Sequence, residues 1–195
     1  MARILNDIDE NELALLVEKY GEPVSLNFQT RFLDFECALV KKTESKGRLH
    51  DITCFIQQDD KYVVIQKNQY ARSGIFRAPS GGAHPGESLY DAAIREMYEE
   101  TGLTVQLERF ILDMHLTVVC KDREIPWRSF VFLASPVNGE MNPIDTHEIF
   151  DVKLMSRDDL LGPVDRLMEE SGWGGFRYRA FLTRKFFERL DELNI

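Results

Sequence analysis

Gly81-Gly82-Ala83-His84-Pro85-Gly86-Glu87-Ser88-Leu89-Tyr90-Asp91-Ala92-Ala93-Ile94-Arg95-Glu96-Met97-Tyr98-Glu99-Glu100-Thr101-Gly102-Leu103 reads as a glycine-rich loop running into a helix. Ser88 stands at the N-cap with Asp91 as its capping-box partner, and Gly102 closes the helix at C′. A rotation of about 100° per residue gathers Glu96, Glu99 and Glu100 on one face, because residues three and four apart are stacked neighbours. Leu89, Ala92 and Ala93 share that stripe, so the acids continue an inward-leaning face. As structure alone this is poor: like charges at these spacings cost a few tenths of a kcal/mol each, and acids in the last turn oppose the helix dipole. Arg95 cannot neutralise three carboxylates, whereas a divalent ion accepting hard oxygen ligands can. The bland alternative is a solvated acidic helix end. Gly81 and Gly82 weigh against it, since glycine permits positive φ and exposes backbone groups to a metal or a phosphate, and Glu87 adds a fourth acid at the helix start.

Working outward, Asp9 to Tyr20 places Leu13, Leu16, Val17 and Tyr20 at helical spacing and stops at Gly21, so a leading helix is expected. Phe32 to Val40, Asp51 to Gln57 and Tyr62 to Lys67 read as strands, the last two forming a hairpin across Gln58-Asp59-Asp60. Beyond the helix, strand-like runs cover Thr104 to Leu107, Phe110 to Val119, Arg128 to Ala134 and Val152 to Met155, with a short helix from Arg157 to Leu161. The tail from about Phe176 to Leu193 carries Leu182, Phe186, Leu190 and Leu193 on one stripe. These elements predict a mixed sheet sandwiched by helices.

The chain has 195 residues, 44% hydrophobic and 29% charged, enough to bury one full core with terminal additions. Its 24 Lys and Arg stand against 33 Asp and Glu, a formal net charge of −9, which argues against a nonspecific grip on nucleic acid. The start, Met1 to Asp9, turns acidic before any signal-length apolar stretch, and no run approaches a membrane span, so a cytoplasmic protein with no membrane partner is expected. Cys37, Cys54 and Cys120 are far apart in sequence, suggest neither a disulfide framework nor a zinc site, and read as reduced thiols filling the core.

The spacing of Gly81, Glu87, Arg95-Glu96-Met97, Glu99-Glu100 and Gly102-Leu103 resembles the Nudix box: glycine, five residues, glutamate, seven residues, then Arg-Glu-apolar-x-Glu-Glu-x-Gly-apolar. Every fixed position is matched. Including the hairpin before the box and the Glu148 to Leu160 region after it, the similarity covers about residues 40 to 162. It implies an α/β fold, an α/β/α sandwich with a mixed β-sheet and the catalytic loop and helix between strands. Residues 1–35 would form an N-terminal helical or extended extension, 36–165 the Nudix hydrolase domain, and 166–195 a C-terminal helix packed on the domain or on a homodimer partner.

The same resemblance implies a pyrophosphohydrolase that cuts the phosphoanhydride bond of a nucleoside diphosphate linked to a moiety X: a nucleotide sugar, an ADP-ribose-like compound, a dinucleotide or a nucleoside triphosphate. Mg²⁺, or Mn²⁺ in its place, would be held by Glu96, Glu99 and Glu100 with the Gly81 carbonyl and Glu87 as further candidates, and Arg95 would orient a glutamate. The general base is Glu96 or an acid from a later loop, for which Glu148 is the better match and Glu140 the weaker. Arg72, Arg77, Trp127 and Arg128 are candidates for holding substrate. Many members read Pro-Gly-Gly where this chain has Pro79-Ser80-Gly81-Gly82. Subgroup markers for ADP-ribose and dinucleoside polyphosphate hydrolases are missing at Val118 to Lys121, so X stays open. Two rivals share the fold: a sensor that binds nucleotide sugars without cutting them, and a diphosphate isomerase, which needs a cysteine in the pocket.

Overall fold

Strand propensity and turn signals between Val24 and Ser156 resolve into one mixed sheet of seven strands in the computed structural model, which describes residues 8–195. The acidic start from Met1 to Asp7 lies outside the described residues. In chain order the elements are α1 (Glu10–Tyr20), β1 (Val24–Arg31), α2 (Asp34–Glu44), β2 (His50–Gln58), β3 (Lys61–Lys67), β4 (Ser80–Gly81), α3 (Leu89–Thr101), β5 (Leu103–Cys120), β6 (Arg123–Gly139) and β7 (Ile149–Ser156). A helical stretch then runs through α4 (Arg157–Asp159), a π turn at Leu160–Val164 and α5 (Asp165–Glu170), and α6 (Gly174–Leu193) ends the fold. The strand order is β1-β5-β6-β2-β3-β7, with β4 paired to β2.

Two packed layers enclose the sheet, as the α/β/α expectation requires. On one face Leu13, Leu16 and Tyr20 of α1 and Leu89, Ala92 and Met97 of α3 cover Ile52, Cys54, Ile56 and Phe130. On the other, α2, α5 and α6 cover Phe55, Val64, Leu112 and Val131, with Phe186 of α6 stacked 3.8 Å from the ring of Phe55. The apolar stripe of the tail helix is thus buried on its own domain.

Near its start β2 pairs with β4, through Ile52 and Thr53, and near its end with β3, from Ile56 onward. That divergence opens the sheet where the glycine loop enters.

Three expectations change. Phe32 to Val40 is helical from Asp34, not a strand; the Glu36 carboxylate reaches back to the Leu33 N–H at 2.9 Å and starts a helix there. The strand Val24–Arg31 was not anticipated, although Val-Ser-Leu-Asn-Phe-Gln alternates as a half-buried strand should; it pairs parallel to β5 and brings the N-terminal extension into the sheet. The helix at Arg157 continues past Leu161 because the π turn absorbs Pro163.

The three-thiol reading is also corrected. Cys37 and Cys120 form a disulfide spanning 83 residues, with Cα atoms 5.7 Å apart. Distance along the chain argued against pairing, but α2 folds back over the end of β5. Cys54 alone is a free, buried thiol. Among the described residues, no helix is long and apolar enough to cross a membrane.

Candidate active site

The loop and α3 form one hydrogen-bonded unit. Ser88 Oγ accepts from the Asp91 N–H at 3.0 Å, and its hydroxyl donates to the Asp91 carboxylate at 2.8 Å. Glu12 of α1 accepts from the Leu89 and Tyr90 N–H groups, so a carboxylate from another element meets the positive end of α3. Gly102 closes the helix in the left-handed region at φ 79°. Gly81 and Gly82 are not at positive φ. Gly81 is needed for room: a Cβ there would lie 1.9 Å from Glu96 Cδ, so the carboxylate rests against bare backbone.

Loop amides hold two of the three expected ligands. The Ser80 N–H donates to Glu100 Oε2 at 2.7 Å, and the Gly82 N–H to Glu96 Oε1 at 3.3 Å. Arg95 engages Glu87, Glu99 and, a second time, Glu96. Its Nε and Nη2 donate to both oxygens of Glu87 at 2.8 Å, and Nη1 reaches Glu96 at 2.9 Å and Glu99 at 3.1 Å. A planar guanidinium suits this forked task. Hydrogen bonding to Arg95 pulls the Glu87 carboxyl below the usual carboxylate range. Burial holds Glu96 above that range; Arg95 opposes the shift, and the charges on Glu100 and Glu99 add to it.

Glu148 lies in the same centre. Lys67, at the end of β3, bridges Glu148 and Glu100, contacting Glu100 at 3.0 Å. Asn68 donates to the carbonyls of Thr146 and His147, and its N–H to the carbonyl of Glu148, which pins the later loop beside the helix. Glu140 instead packs its backbone against Gly102, just past the C-terminal end of α3.

Glu96, Glu99 and Glu100 offer only hard oxygen donors, and the raised pKa of Glu96 marks a charge that a divalent cation would relieve. The donor set therefore fits Mg²⁺ or Mn²⁺. Among the described residues, no three acids, histidines or cysteines are gathered tightly enough to hold an ion in this conformation. In it Arg95 pairs with Glu96 and Glu99, while Lys67 pairs with Glu100 and Glu148.

Of the residues expected to hold substrate, only some reach this centre. Arg77 is buried beneath the loop, donating to Tyr70 Oη, the Ala78 carbonyl and Ser80 Oγ. Trp127 lines a small cavity of about 160 Å³ together with Arg179. Arg72 hydrogen-bonds through its backbone to Gln66 and lies 6.0 Å over the Phe150 ring. Arg128 is placed elsewhere: it makes a two-pronged pair with Asp113 and a third contact with Glu10 of α1.

Sequence reasoning missed Lys67, Asn68 and Arg179. Arg179, on α6, donates to Thr53, to Asp51 at 2.8 Å and to Ser80 Oγ at 3.0 Å. The serine that departs from Pro-Gly-Gly is thus the acceptor for two arginines. The sequence signal for Arg179 is its place in a basic stretch with Arg177, Arg184, Lys185 and Arg189, of which Arg184, Lys185 and Arg189 form ion pairs with acids of α5 and α6 instead. Beside Lys67, Glu148 and Arg77 a cavity of about 430 Å³ opens between α2 and the start of α6.

A family model described as the NUDIX domain matches residues 48–173. The Nudix hydrolase YvcI of Bacillus subtilis is 32% identical over 113 residues, 51% of this chain and 66% of its own length. The human 8-oxo-dGDP phosphatase is 31% identical over 88 residues, 45% of this chain and 25% of its own length. The match therefore spans just under two thirds of the first relative and a quarter of the second. A solved NUDIX hydrolase from Nitrosomonas europaea superposes with a TM-score of 0.50 at 25% identity, covering 64% of this chain and 88% of that one.

Proposed function

Because the chain belongs to the Nudix family, we propose that it hydrolyses a phosphoanhydride bond in a nucleoside diphosphate linked to a further group. The observation that carries this reading is the packing of Glu96 and Glu100 onto the backbone of the glycine loop, with Glu99 beside them on Arg95. Mg²⁺, with Mn²⁺ as a substitute, would be held by Glu96, Glu99, Glu100 and the Gly81 carbonyl. When bound, such an ion polarises phosphate oxygens and orients the attacking water.

The protein's own groups divide the remaining work. Glu87 fixes the Arg95 guanidinium through two hydrogen bonds, so Arg95 sets the positions of Glu96 and Glu99 as a positioning residue. We assign the general base to Glu148 rather than Glu96. The Glu148 carboxylate is half exposed and, among the described residues, pairs with Lys67, whereas Glu96 already accepts hydrogen bonds from Gly82 and Arg95. A substrate phosphate that draws Lys67 toward itself would release Glu148 to accept a proton from water.

The isomerase alternative asks for a cysteine at the site, and no cysteine lines the cavity: Cys54 is buried in the core and the other two are bonded to each other.

Purified protein with Mg²⁺ is expected to release a nucleoside monophosphate or phosphate from at least one member of a panel of nucleotide sugars, dinucleotides, dinucleoside polyphosphates and nucleoside triphosphates, read by mass spectrometry. Glu99→Gln and Glu100→Gln should each lower kcat by about 100-fold or more, and Glu148→Gln should lower kcat with KM little changed. Metal and ligand binding without any cleavage would overturn the hydrolase reading in favour of a non-cleaving sensor.

A further inference from the structure

The cavity between α2 and α6 has a composition the hydrolytic centre does not account for. Part of its lining is polar and includes Lys67, Glu148 and Arg77, and Lys67 also pairs with Glu100 of the carboxylate site. Another part is aromatic, formed by Phe32, Phe35, Tyr70, Trp173 and Phe176. The rings of Trp173 and Phe176 stack at 4.8 Å and 10°, Phe35 meets Trp173 edge-on at 4.7 Å, and Tyr70 meets Phe176 edge-on at 4.9 Å. Tyr70 and Phe176 are buried, but Phe35 keeps 38% of its surface exposed. An exposed phenylalanine beside a half-buried tryptophan, lining the same cavity as these charged groups, leaves aromatic surface for a further ring.

We propose that this cavity takes the nucleobase of the substrate, stacked against Trp173 and Phe35, and so selects the nucleoside side of the anhydride rather than the leaving group. The proposal rests on the hydrolase reading for the neighbouring site. Three features favour a base over a sugar or a simple phosphate. The exposed aromatic surface of Phe35 and Trp173 gives stacking area to any base, which a simple phosphate cannot use and a sugar ring uses less well. The one acid in the aromatic wall, Glu36, already accepts from the N–H groups of Leu33, Gly174 and Gly175, so it is engaged in holding α6. The volume, about 430 Å³, lies in the range of sites that enclose a small ligand, roughly 300–1,000 Å³. Lys67 and Glu148 line both the cavity and the carboxylate centre, so one substrate can place its base in the first and its phosphates at the second.

The stack is built by elements on either side of the box. Phe35 comes from α2, Phe176 from α6, and Trp173 from the residue just before α6. Specificity for the base would therefore rest on parts of this chain that the box does not determine.

The chain has two tryptophans, Trp127 and Trp173. In a Trp127→Phe background the emission of Trp173 reports on the cavity without turnover. In EDTA, AMP, GMP, UMP and CMP are titrated against ribose 5-phosphate. At least one nucleotide should quench Trp173 saturably, and ribose 5-phosphate should not. Phe35→Ala, which removes a partly exposed ring, should weaken that nucleotide's Kd by about tenfold and, for a cleaved substrate, raise KM more than it lowers kcat. No quenching by any of the four, equal quenching by ribose 5-phosphate, or an unchanged Kd in Phe35→Ala would each overturn the proposal. Cleavage of the panel with no quenching removes the base pocket and leaves the hydrolase. Quenching with no cleavage removes the hydrolase and leaves the pocket.

Discussion

Gly81 acts through the side chain it lacks. Its backbone has no need of positive φ; what it supplies is space for Glu96, whose carboxylate carbon would sit 1.9 Å from an added methyl group. Gly81→Ala should therefore push Glu96 away from the Gly82 N–H and from Arg95 while leaving the chain folded, since the displaced atoms end a side chain and are not backbone. A catalytic group misplaced by an ångström costs on the order of 100-fold in rate, whereas the overpacking costs about 1–3 kcal/mol. Turnover and thermal melting measured on the same preparation separate the two effects. A Gly81→Ala protein with normal turnover would show that Glu96 can leave its seat without consequence. Ser80, the next residue back, shows the opposite use of a side chain. Its hydroxyl receives both Arg77 and Arg179, so the departure from Pro-Gly-Gly coincides with two arginines that would otherwise lack this acceptor.

Among the elements, α3 was legible in the sequence because its whole description is local. Cap, acidic face and C′ glycine lie within one stretch, and the carboxylates Glu96, Glu99 and Glu100 could be assigned to one face by rotation alone. What closes the site around it is not local. Lys67 comes from β3, Glu148 from the loop before β7 and Arg179 from α6, and only the folded sheet brings them together. The misread α2 has the same cause: an apolar run with Phe32, Phe35 and Val40 fits either period, and the deciding contact is Glu36, whose partners include residues 138 and 139 positions away. That carboxylate ties two helices together, accepting from Leu33 at the start of α2 and from Gly174 and Gly175 at the start of α6. Glu36→Ala should remove three acceptor contacts at a buried joint and cost about 2–4 kcal/mol. Hydrogen exchange should then rise at the first turn of α6 and in α2, not in α3. Exchange that rises uniformly, or not at all, would show that the joint does not depend on Glu36.

At the scale of the molecule, both terminal additions are parts of the domain. β1 extends the sheet beyond β5, α1 and α3 cover one face, and α2 with α6 covers the other. The Cys37–Cys120 bond fastens α2 to the far end of β5 and closes a span of 83 residues. A crosslink over that span restricts the unfolded chain by about 4–5 kcal/mol in the loop-entropy description, which for a domain of this size corresponds to roughly 10 °C in Tm. In reductant-free buffer, thiol titration of the unfolded chain should find one reactive cysteine, Cys54, and three after reduction. The native protein should show none, because Cys54 is enclosed in the core and its burial pushes the thiol pKa up. Reduction or Cys120→Ser should lower Tm by that order, and it should loosen α2, which carries Phe35, more than it loosens α3. If the unfolded, unreduced chain titrates three thiols, the bond is absent in solution. The hold of α2 on the sheet then rests on its apolar contacts, on Glu36 and on the ion pairs of Asp34 and Glu44 with Lys121 and Arg123.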